Sequence, residues 1–517
     1  MPMPSTIFGP HATRLPSNVP AIRCDAHTDD WLRLAQDLHS AGATLLTLWG
    51  ADDRDRNGSF CVRGAWLTAE GVAVIEHRIA DCESPSYPSL AELFPSAGRM
   101  ERAVFDLLGI RSTAADTRPW LRHGGWPNDV FPLRRDFEGA TLYPVHSEAY
   151  AYVAVEGDGV HEIAVGPVHA GIIEPGGFRF SVVGEKVLRL EERLGYTHKG
   201  TGKLFQRMRQ EEGHRLAARI SGDSAVAFSW AWCAALEAVT QTQCSPRALR
   251  LRALTLEHER LANHLGDLGA LGNDAGFAFG LTQFSRLKED LLRANNEVFG
   301  ARYLMDYVIP GGVSRDLPPT APACLIETYR MLEEGARAMR AIYDEHAGVQ
   351  DRFRGTGFLA RELAEKLGAV GMAARASGIP HDLRTDLPWP PYDTLQTRIA
   401  TNITGDVAAR VGVRFDELLE SIHLCRAILE TLPDGPLHLE VPCWPANRIG
   451  LGLIEGWRGP VMVAIETGED GTVLACHAHD PSVQNWPLLE HAILGNIVPD
   501  FPLINKSFNL SYSGQDG

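Results

Sequence analysis

Arg219-Ile220-Ser221-Gly222-Asp223-Ser224 stands just before an apolar stretch holding Phe228, Trp230 and Trp232. A second segment of like texture, Ser507-Phe508-Asn509-Leu510-Ser511-Tyr512-Ser513-Gly514, lies close to residue 517. These two polar corners frame a region in which helical periodicity dominates. The pattern predicts helices over roughly 203–240, 247–270, 282–298, 318–346, 359–370 and 405–432, and Leu254, Glu257, Leu261, His264, Leu265 and Leu268 share one face of the second.

Outward from that helical block the pattern changes. Ahead of it, strands and Gly/Pro turns alternate up to about residue 190, beginning with a predicted strand over Ala151 to Val155. Behind it, from about 436, Val461 to Glu466 and Thr472 to His477 read as strands, with a helix near 486–495. Residues up to about 137 read as a small α/β unit. There Trp31, Leu32, Leu34, Ala35 and Leu38 make one apolar helical face, and Thr44 to Trp49, Phe60 to Leu67 and Val72 to Ile75 are β-prone. A short helix from Glu101 to Leu108 ends at Gly109, and a domain boundary is expected over 137–150. The fold class is therefore α+β: a small N-terminal α/β module, then a mainly helical domain with a β-rich entry.

Composition narrows the function classes. The 517 residues suit two or three domains, and 49 basic against 65 acidic side chains give a net charge of −16, opposite to a nucleic-acid surface. No run of about 18 apolar residues is present to span a bilayer. Met1-Pro2-Met3-Pro4-Ser5 has no charged and apolar leader pattern, so a cytoplasmic location is expected. The nine cysteines (24, 61, 82, 233, 244, 324, 425, 443 and 476) include no CxxC pair, which fits buried, reduced thiols rather than zinc or iron–sulfur ligation. No HExxH, P-loop or GxGxxG pattern occurs in a supporting context, so neither metallopeptidase chemistry nor direct nucleotide binding is expected.

An ordered set of motifs carries a family resemblance. Leu93-Phe94-Pro95-Ser96-Ala97, Glu101, Asp106, Gly109 and Pro132-Leu133-Arg134-Arg135-Asp136-Phe137 resemble the 30-kDa-type subunit of respiratory complex I, which implies that 1–140 is a structural module binding no cofactor. Gly166-Pro167-Val168-His169, Gly195-Tyr196-Thr197-His198-Lys199-Gly200, Glu257-His258-Glu259-Arg260-Leu261-Ala262-Asn263-His264, Pro310-Gly311-Gly312-Val313 and Ala374-Arg375-Ala376-Ser377-Gly378 are similar to the large subunit shared by group 4 [NiFe]-hydrogenases and complex I. So are Asp382, Arg384, Gly405-Asp406, Arg410, Arg414, Glu417, Ser421, Arg458-Gly459, Asp480-Pro481-Ser482 and Asp500-Phe501-Pro502, and the likeness spans 151–517.

In the hydrogenases two CxxC pairs bridge nickel and iron through soft thiolates. The resemblance places those ligands at Ser221, Ser224, Ser511 and Gly514, where no sulfur stands. The implied cofactor set of this chain is therefore none, with an iron–sulfur cluster expected in a partner subunit. On the complex I side, the quinone-binding histidine and tyrosine fall at Ile173 and Arg219. The Glu174-Pro175-Gly176 element instead matches the hydrogenase glutamate that handles protons.

Glu174, Arg219, Asp223, Arg375, Asp382, Arg384 and Arg458 are the polar residues expected to face the former metal cavity. They could relay protons; equally, they could be structural ion pairs, each kept because losing one partner strands the other. His169, His198 and His264 are expected to be capping or core histidines. The resemblance implies partners: a small iron–sulfur subunit, a ferredoxin-like subunit and integral membrane subunits, holding the chain on the cytoplasmic face of the inner membrane. Three roles stay open at this point. The chain could couple electron transfer to proton or conformational change, reduce quinone with Tyr196, His198 or His169 as replacement contacts, or serve as a structural subunit.

Overall fold

The computed structural model describes residues 7–8, 12–139, 142–144, 150–170 and 173–517. The N-terminal module is a five-stranded sheet. Ala21–Ala26 runs parallel to Gly71–Ile79, and Ser59–Thr68 and Thr44–Asp53 extend it antiparallel. Helices Thr28–Ser40 and Ala97–Leu108 belong with this sheet. Trp31, Leu34, Ala35 and Leu38 are buried as the periodicity predicts, but Leu32 is 40% exposed and leaves that face.

The sheet does not end the module's core. Leu46, Trp49, Ala65, Val72 and Val74 join the core of the rest of the chain, while Leu45, Trp66, Ala73 and Ile75 pack in the module's own core. Polar contacts knit the same seam. The Trp49 ring stacks on His477 at 4.9 Å, Thr47 Oγ1 meets His477 Nε2 at 2.8 Å, and the buried Arg63 reaches Glu466 at 2.5 Å and Glu76 at 2.7 Å. The boundary expected over 137–150 falls largely on residues outside the described ones.

The β-rich entry is a three-stranded antiparallel sheet, Val160–Val165, Gly177–Val183 and Lys186–Arg193. The strand expected at 151–155 does not form. Val153 N instead donates to the Glu191 carboxylate, and Arg118 takes the Ala151 carbonyl, so side chains satisfy the backbone that a ladder would have used.

Past the entry, one helix organises the domain. Pro246–Asp274 starts where Ser245 accepts from Ala248 N with proline in the first turn, and its 29 residues span about 43 Å. Its predicted face is buried, but so are Arg252, Thr255, His258 and Glu259 on other sides, which makes it a central rather than a surface helix. Helices Ala225–Thr240, Ala278–Phe299 and Val407–Glu430 pack around it. The Asp406 side chain caps the last of these through Ala409 N.

The single helix expected over 203–240 is three pieces, Thr201–Phe205, Gly213–Ala217 and Ala225–Thr240. Arg207 takes a left-handed φ of 69° and donates its N–H to Val473 O, so the C-terminal sheet pulls the chain out of helix. Expected helix 359–370 shortens to Arg361–Lys366 for a similar reason, with Leu359 N bound to Gly405 O.

The C-terminal sheet, Ile449–Glu455, Pro460–Thr467 and Val473–His479, lies against Ala225–Thr240. Gly452 permits that contact, because a Cβ there would sit 1.9 Å from Ala231 O. Phe228, Trp230 and Trp232 are wholly buried, and Trp232 stacks on Phe205 at 5.0 Å. Ser482–Ala492 and Phe501–Phe508 then lead to the second polar corner.

Candidate functional site

The two corners meet. Asn509, at a left-handed φ of 47°, turns the chain out of helix Phe501–Phe508. Ser511 then caps the last short helix, its Oγ accepting from Gly514 N at 2.9 Å. That places Ser511 Oγ 2.8 Å from Ser221 Oγ. Ser221 donates onward to Asp223 Oδ1 at 2.8 Å, so its own oxygen is free to accept from Ser511. Ser513 Oγ lies 3.4 Å behind Ser511. The hydroxyls therefore form a directional string, Ser513 to Ser511 to Ser221 to Asp223.

Arg458 closes the string. Its two terminal nitrogens grip Asp223 at 2.8 and 2.6 Å, its Nε donates to Asn509 O at 2.6 Å, and its guanidinium lies 3.9 Å over the Trp457 ring. Trp457 Nε1 and Asn263 Nδ2 both donate to Asp223 O. Burial works against the Asp223 carboxylate, but the Arg458 charge and hydrogen bonds outweigh it and hold the group down at about 2. From the other side Glu174, an exposed residue, accepts the Ser513 N–H at 2.9 Å. Of the expected cavity residues, then, Glu174, Asp223 and Arg458 come together with Ser221, Ser224, Ser511 and Gly514.

The remaining four lie elsewhere. Arg219 points outward, 46% exposed, and pairs with Asp306 at 2.6 Å. Arg375, Asp382 and Arg384 belong to a fully buried ionic network along the central helix. Arg384 holds Asp382 at 2.7 Å and Glu257 at 3.0 Å, and Arg375 holds Glu417 at 2.7 Å and Glu455 at 3.1 Å. His264 adds a contact to Glu417 at 2.9 Å, while Ser421 and Tyr392 each donate to Glu257 at 2.6 Å. Burial, with Asp382 adding, pushes the Glu455 carboxyl up to about 7, so this carboxyl absorbs the excess of negative charge in the network.

Residues 24–142 match the family model of the respiratory-chain NADH dehydrogenase 30 Kd subunit, and 274–450 that of the 49 Kd subunit. Formate hydrogenlyase subunit 5 of Escherichia coli (strain K12) is 31% identical over 489 residues, covering 92% of this chain and 85% of that protein. Hydrogenase-4 component G of the same organism is 30% identical over 480 residues, covering 91% and 83%. The chain belongs to the formate hydrogenlyase subunit 5 and hydrogenase-4 component G family. Its relatives are subunits of membrane-associated oxidoreductase complexes of the hydrogenase-4 and complex I kind. In fold it also resembles a chain from the membrane-bound sulfane sulfur reductase, described as an archaeal respiratory membrane complex. That match has a TM-score of 0.66 at 23% identity, covering 69% of this chain and 98% of that one. Among the described residues, no helix is long and apolar enough to cross a membrane.

Set beside the family's nickel–iron centre, the corner does not fit one. Its donors are hydroxyls already hydrogen-bonded to one another, and a guanidinium stands over the carboxylate. At Gly514 a Cβ would lie 2.5 Å from Asp480 Oδ2, so the Asp480 carboxylate fills the space a side chain would need. Asp480 Oδ1 accepts from Ser482 N, while Oδ2 is buried without a hydrogen-bond partner, and burial raises its pKa. Hard oxygen donors and a resident cation suit proton handling, not soft-metal ligation.

The candidate list missed Asp480, which only tertiary contact brings to Gly514. It also missed Glu257, Arg260, His264 and Glu417, although the spacing of 257, 260 and 264 on one helix signalled a shared polar seam. The histidines behave as core or capping groups: His264 in the network, His198 Nδ1 on Asp516 O at 2.6 Å, and His169 stacked on Phe178. Tyr196 packs on His123 at 4.3 Å, so Tyr196, His198 and His169 make separate contacts rather than one headgroup site. Among the cysteines, Cys24, Cys61, Cys233 and Cys425 are buried and free, and Cys443 departs from the expectation by being exposed.

Proposed function

We propose that this chain is the large subunit of a membrane-associated oxidoreductase complex in which the serine corner conducts protons in place of holding nickel and iron. Electrons arrive at an iron–sulfur cluster in a small partner subunit. A ferredoxin-like subunit feeds that cluster, and integral membrane subunits hold the assembly on the cytoplasmic face of the inner membrane. The observation that carries the reading is the directional string Ser513, Ser511, Ser221, Asp223. Each hydroxyl can accept a proton on one side, release its own on the other and then turn back. Asp223, held ionised by Arg458, is one end of the string; Glu174, which accepts the Ser513 backbone N–H, lies near the other. A charge change at a neighbouring cluster alters the field on this Asp–Arg pair and so draws or expels a proton through the string.

The test is proton uptake by the assembled complex during reduction, with elemental analysis of the same sample. Ser511→Ala cuts the string at its centre and should slow uptake at least tenfold, within the range that positioned acid–base groups supply. The reading falls if Ser511→Ala and Ser221→Ala leave uptake at the wild-type rate, or if stoichiometric nickel is found bound to this chain.

A further inference from the structure

Asp223 faces a second space that the serine string does not use. A cavity of about 280 Å³ opens between the central helix, helix Ala278–Phe299 and the loop after it, lined among others by Asp223, Glu259, Asn263, Lys288, Asn295 and Arg302. That is ample room for a chain of waters. It puts a buried carboxyl on the same wall as the Asp223 end of the string.

That carboxyl is Glu259, only 6% exposed. Its two oxygens accept from Val226 N at 2.6 Å and Ala227 N at 3.2 Å, the first turn of helix Ala225–Thr240. It joins no ion pair among the described residues, which sets it apart from every acid of the central network. Asn263 ties the two segments together, donating to the backbone carbonyls of Asp223 and Glu259. Lys288 likewise makes no ion pair among the described residues. Its Nζ lies over Gly266, 2.8 Å from where a Cβ would stand. An unpaired ammonium and an unpaired carboxyl sharing one solvent-connected cavity is an arrangement that core packing does not call for.

We propose that this cavity is the proton inlet of the corner, with the Glu259 carboxyl taking a proton from solvent and handing it across the cavity to Asp223. The step balances as a transfer alone. Solvent gives one proton to the Glu259 carboxylate; the carboxyl O–H bond then breaks as an Asp223 O–H bond forms by way of cavity water. Solvent re-protonates Glu259, and no electron or other reactant is consumed. The inference rests on the proton-conducting reading of the corner and names where its protons enter.

The electrostatics agree. Burial pushes the Glu259 carboxyl up to about 8, and the Asp223 charge adds to that rise; the two backbone N–H bonds and Arg260 oppose it. Lys288 faces the cavity with its pKa lowered by burial, Arg302 is neutralised by Glu289 at 2.6 Å, and His258 is locked between Asn295 and Tyr329. Glu259 thus carries its proton at neutral pH; Asp223, held near 2 by Arg458, takes it only while a charge change at the neighbouring cluster raises its affinity.

Infrared difference spectroscopy on the assembled complex, run beside proton uptake, tests this. Glu259→Gln keeps the shape and one acceptor oxygen for Val226 N. The expected result is a protonated-carboxyl band that titrates near pH 8 in the wild type, vanishes in Glu259→Gln, and is accompanied by uptake slowed at least tenfold. Ala262→Phe plugs the cavity wall without altering Glu259 and should slow uptake to a similar extent with the band retained, so the proposal stays testable should Glu259→Gln fail to assemble. A band that persists in Glu259→Gln, or uptake unchanged in both variants, overturns the inlet. If Ser511→Ala slows uptake while both inlet variants do not, the corner stands and the inlet falls; if none of the three does, both fall.

Discussion

Replacing Arg384 by methionine separates structural charge from functional charge in this chain. Arg384 is 2% exposed and satisfies two carboxylates, gripping Asp382 through Nε at 3.0 Å and Nη2 at 2.7 Å, and Glu257 through Nη1 at 3.0 Å. Methionine fills much of the volume but strands those acids. Glu257 keeps Ser421, Tyr392 and a 3.5 Å contact to Arg260; Asp382 keeps a 3.5 Å contact to Arg375. Breaking one partner out of a buried pair costs about 3–5 kcal/mol. At about 2.1 cal/mol/K per residue, a chain of this length unfolding as one unit loses about 3–5 °C in Tm. The assay is thermal unfolding of the purified chain by circular dichroism, with Glu257→Gln and the double variant completing a cycle. The double variant should recover at least 1 kcal/mol over the sum of the singles, because the stranded charge is gone. A Tm within about 1 °C of wild type for Arg384→Met would refute the view that this network holds the fold.

Three further outcomes follow from the geometry. Gly452→Ala drives a Cβ to within 1.9 Å of Ala231 O and should destabilise the chain by about 3 kcal/mol or more, seen as a lower unfolding midpoint in urea. The Asp223 carboxylate, lowered to about 2 by Arg458, contributes stability that is complete above about pH 4 and lost as pH falls through 2. With the side chain 39% exposed, screening leaves on the order of 1 kcal/mol, read as a wild-type advantage over Asp223→Asn at pH 5 that disappears near pH 2. Gly514→Cys should destabilise alone and be largely rescued by Asp480→Ala, since the new Cβ collides with the Asp480 carboxylate; additive losses in that double-mutant cycle would show the collision to be elsewhere.

The parts legible in the sequence were those decided locally. The helix expected over 247–270 starts within a residue of Pro246, where Ser245 caps it, and the one expected over 405–432 starts within two of Val407, where Asp406 does the same. The corner serines and Asp223 were picked out by the resemblance to the hydrogenase large subunit, which places the family's ligand positions in these two short segments. What failed was decided by partners far along the chain. The break after Phe205 comes from Val473 and Gly471 pairing with Arg207 and Gln210, and no local signal at Arg207 announces a left-handed residue. Tyr152 and Val153 carry strand-like side chains, but Glu191 and Arg118 claim the backbone. Arg63 lies in the β-prone run 60–67, but its burial is decided by Glu466, more than 400 positions away, which meets it across the seam.

The same split between local and long-range explains why the corner can change its chemistry while the domain around it stays intact. The buried network satisfies each acid with at least one partner outside the corner, and among the described residues no ion pair ties Arg375, Asp382 or Arg384 to Ser221, Ser224, Ser511 or Gly514. A thiolate lost from the corner therefore leaves no buried charge stranded in the network. Within the corner the loss is local as well, because a serine hydroxyl can donate and accept where a thiolate could only coordinate, and Asp480 closes the space at Gly514. The cost that remains is one unpaired oxygen, Asp480 Oδ2, in a dry setting. Burial raises the Asp480 pKa, opposed by the Arg458 charge and by hydrogen bonds from Ser482. Asp480 and Glu259 are thus both pushed up by burial, whereas Arg458 holds the Asp223 carboxylate down.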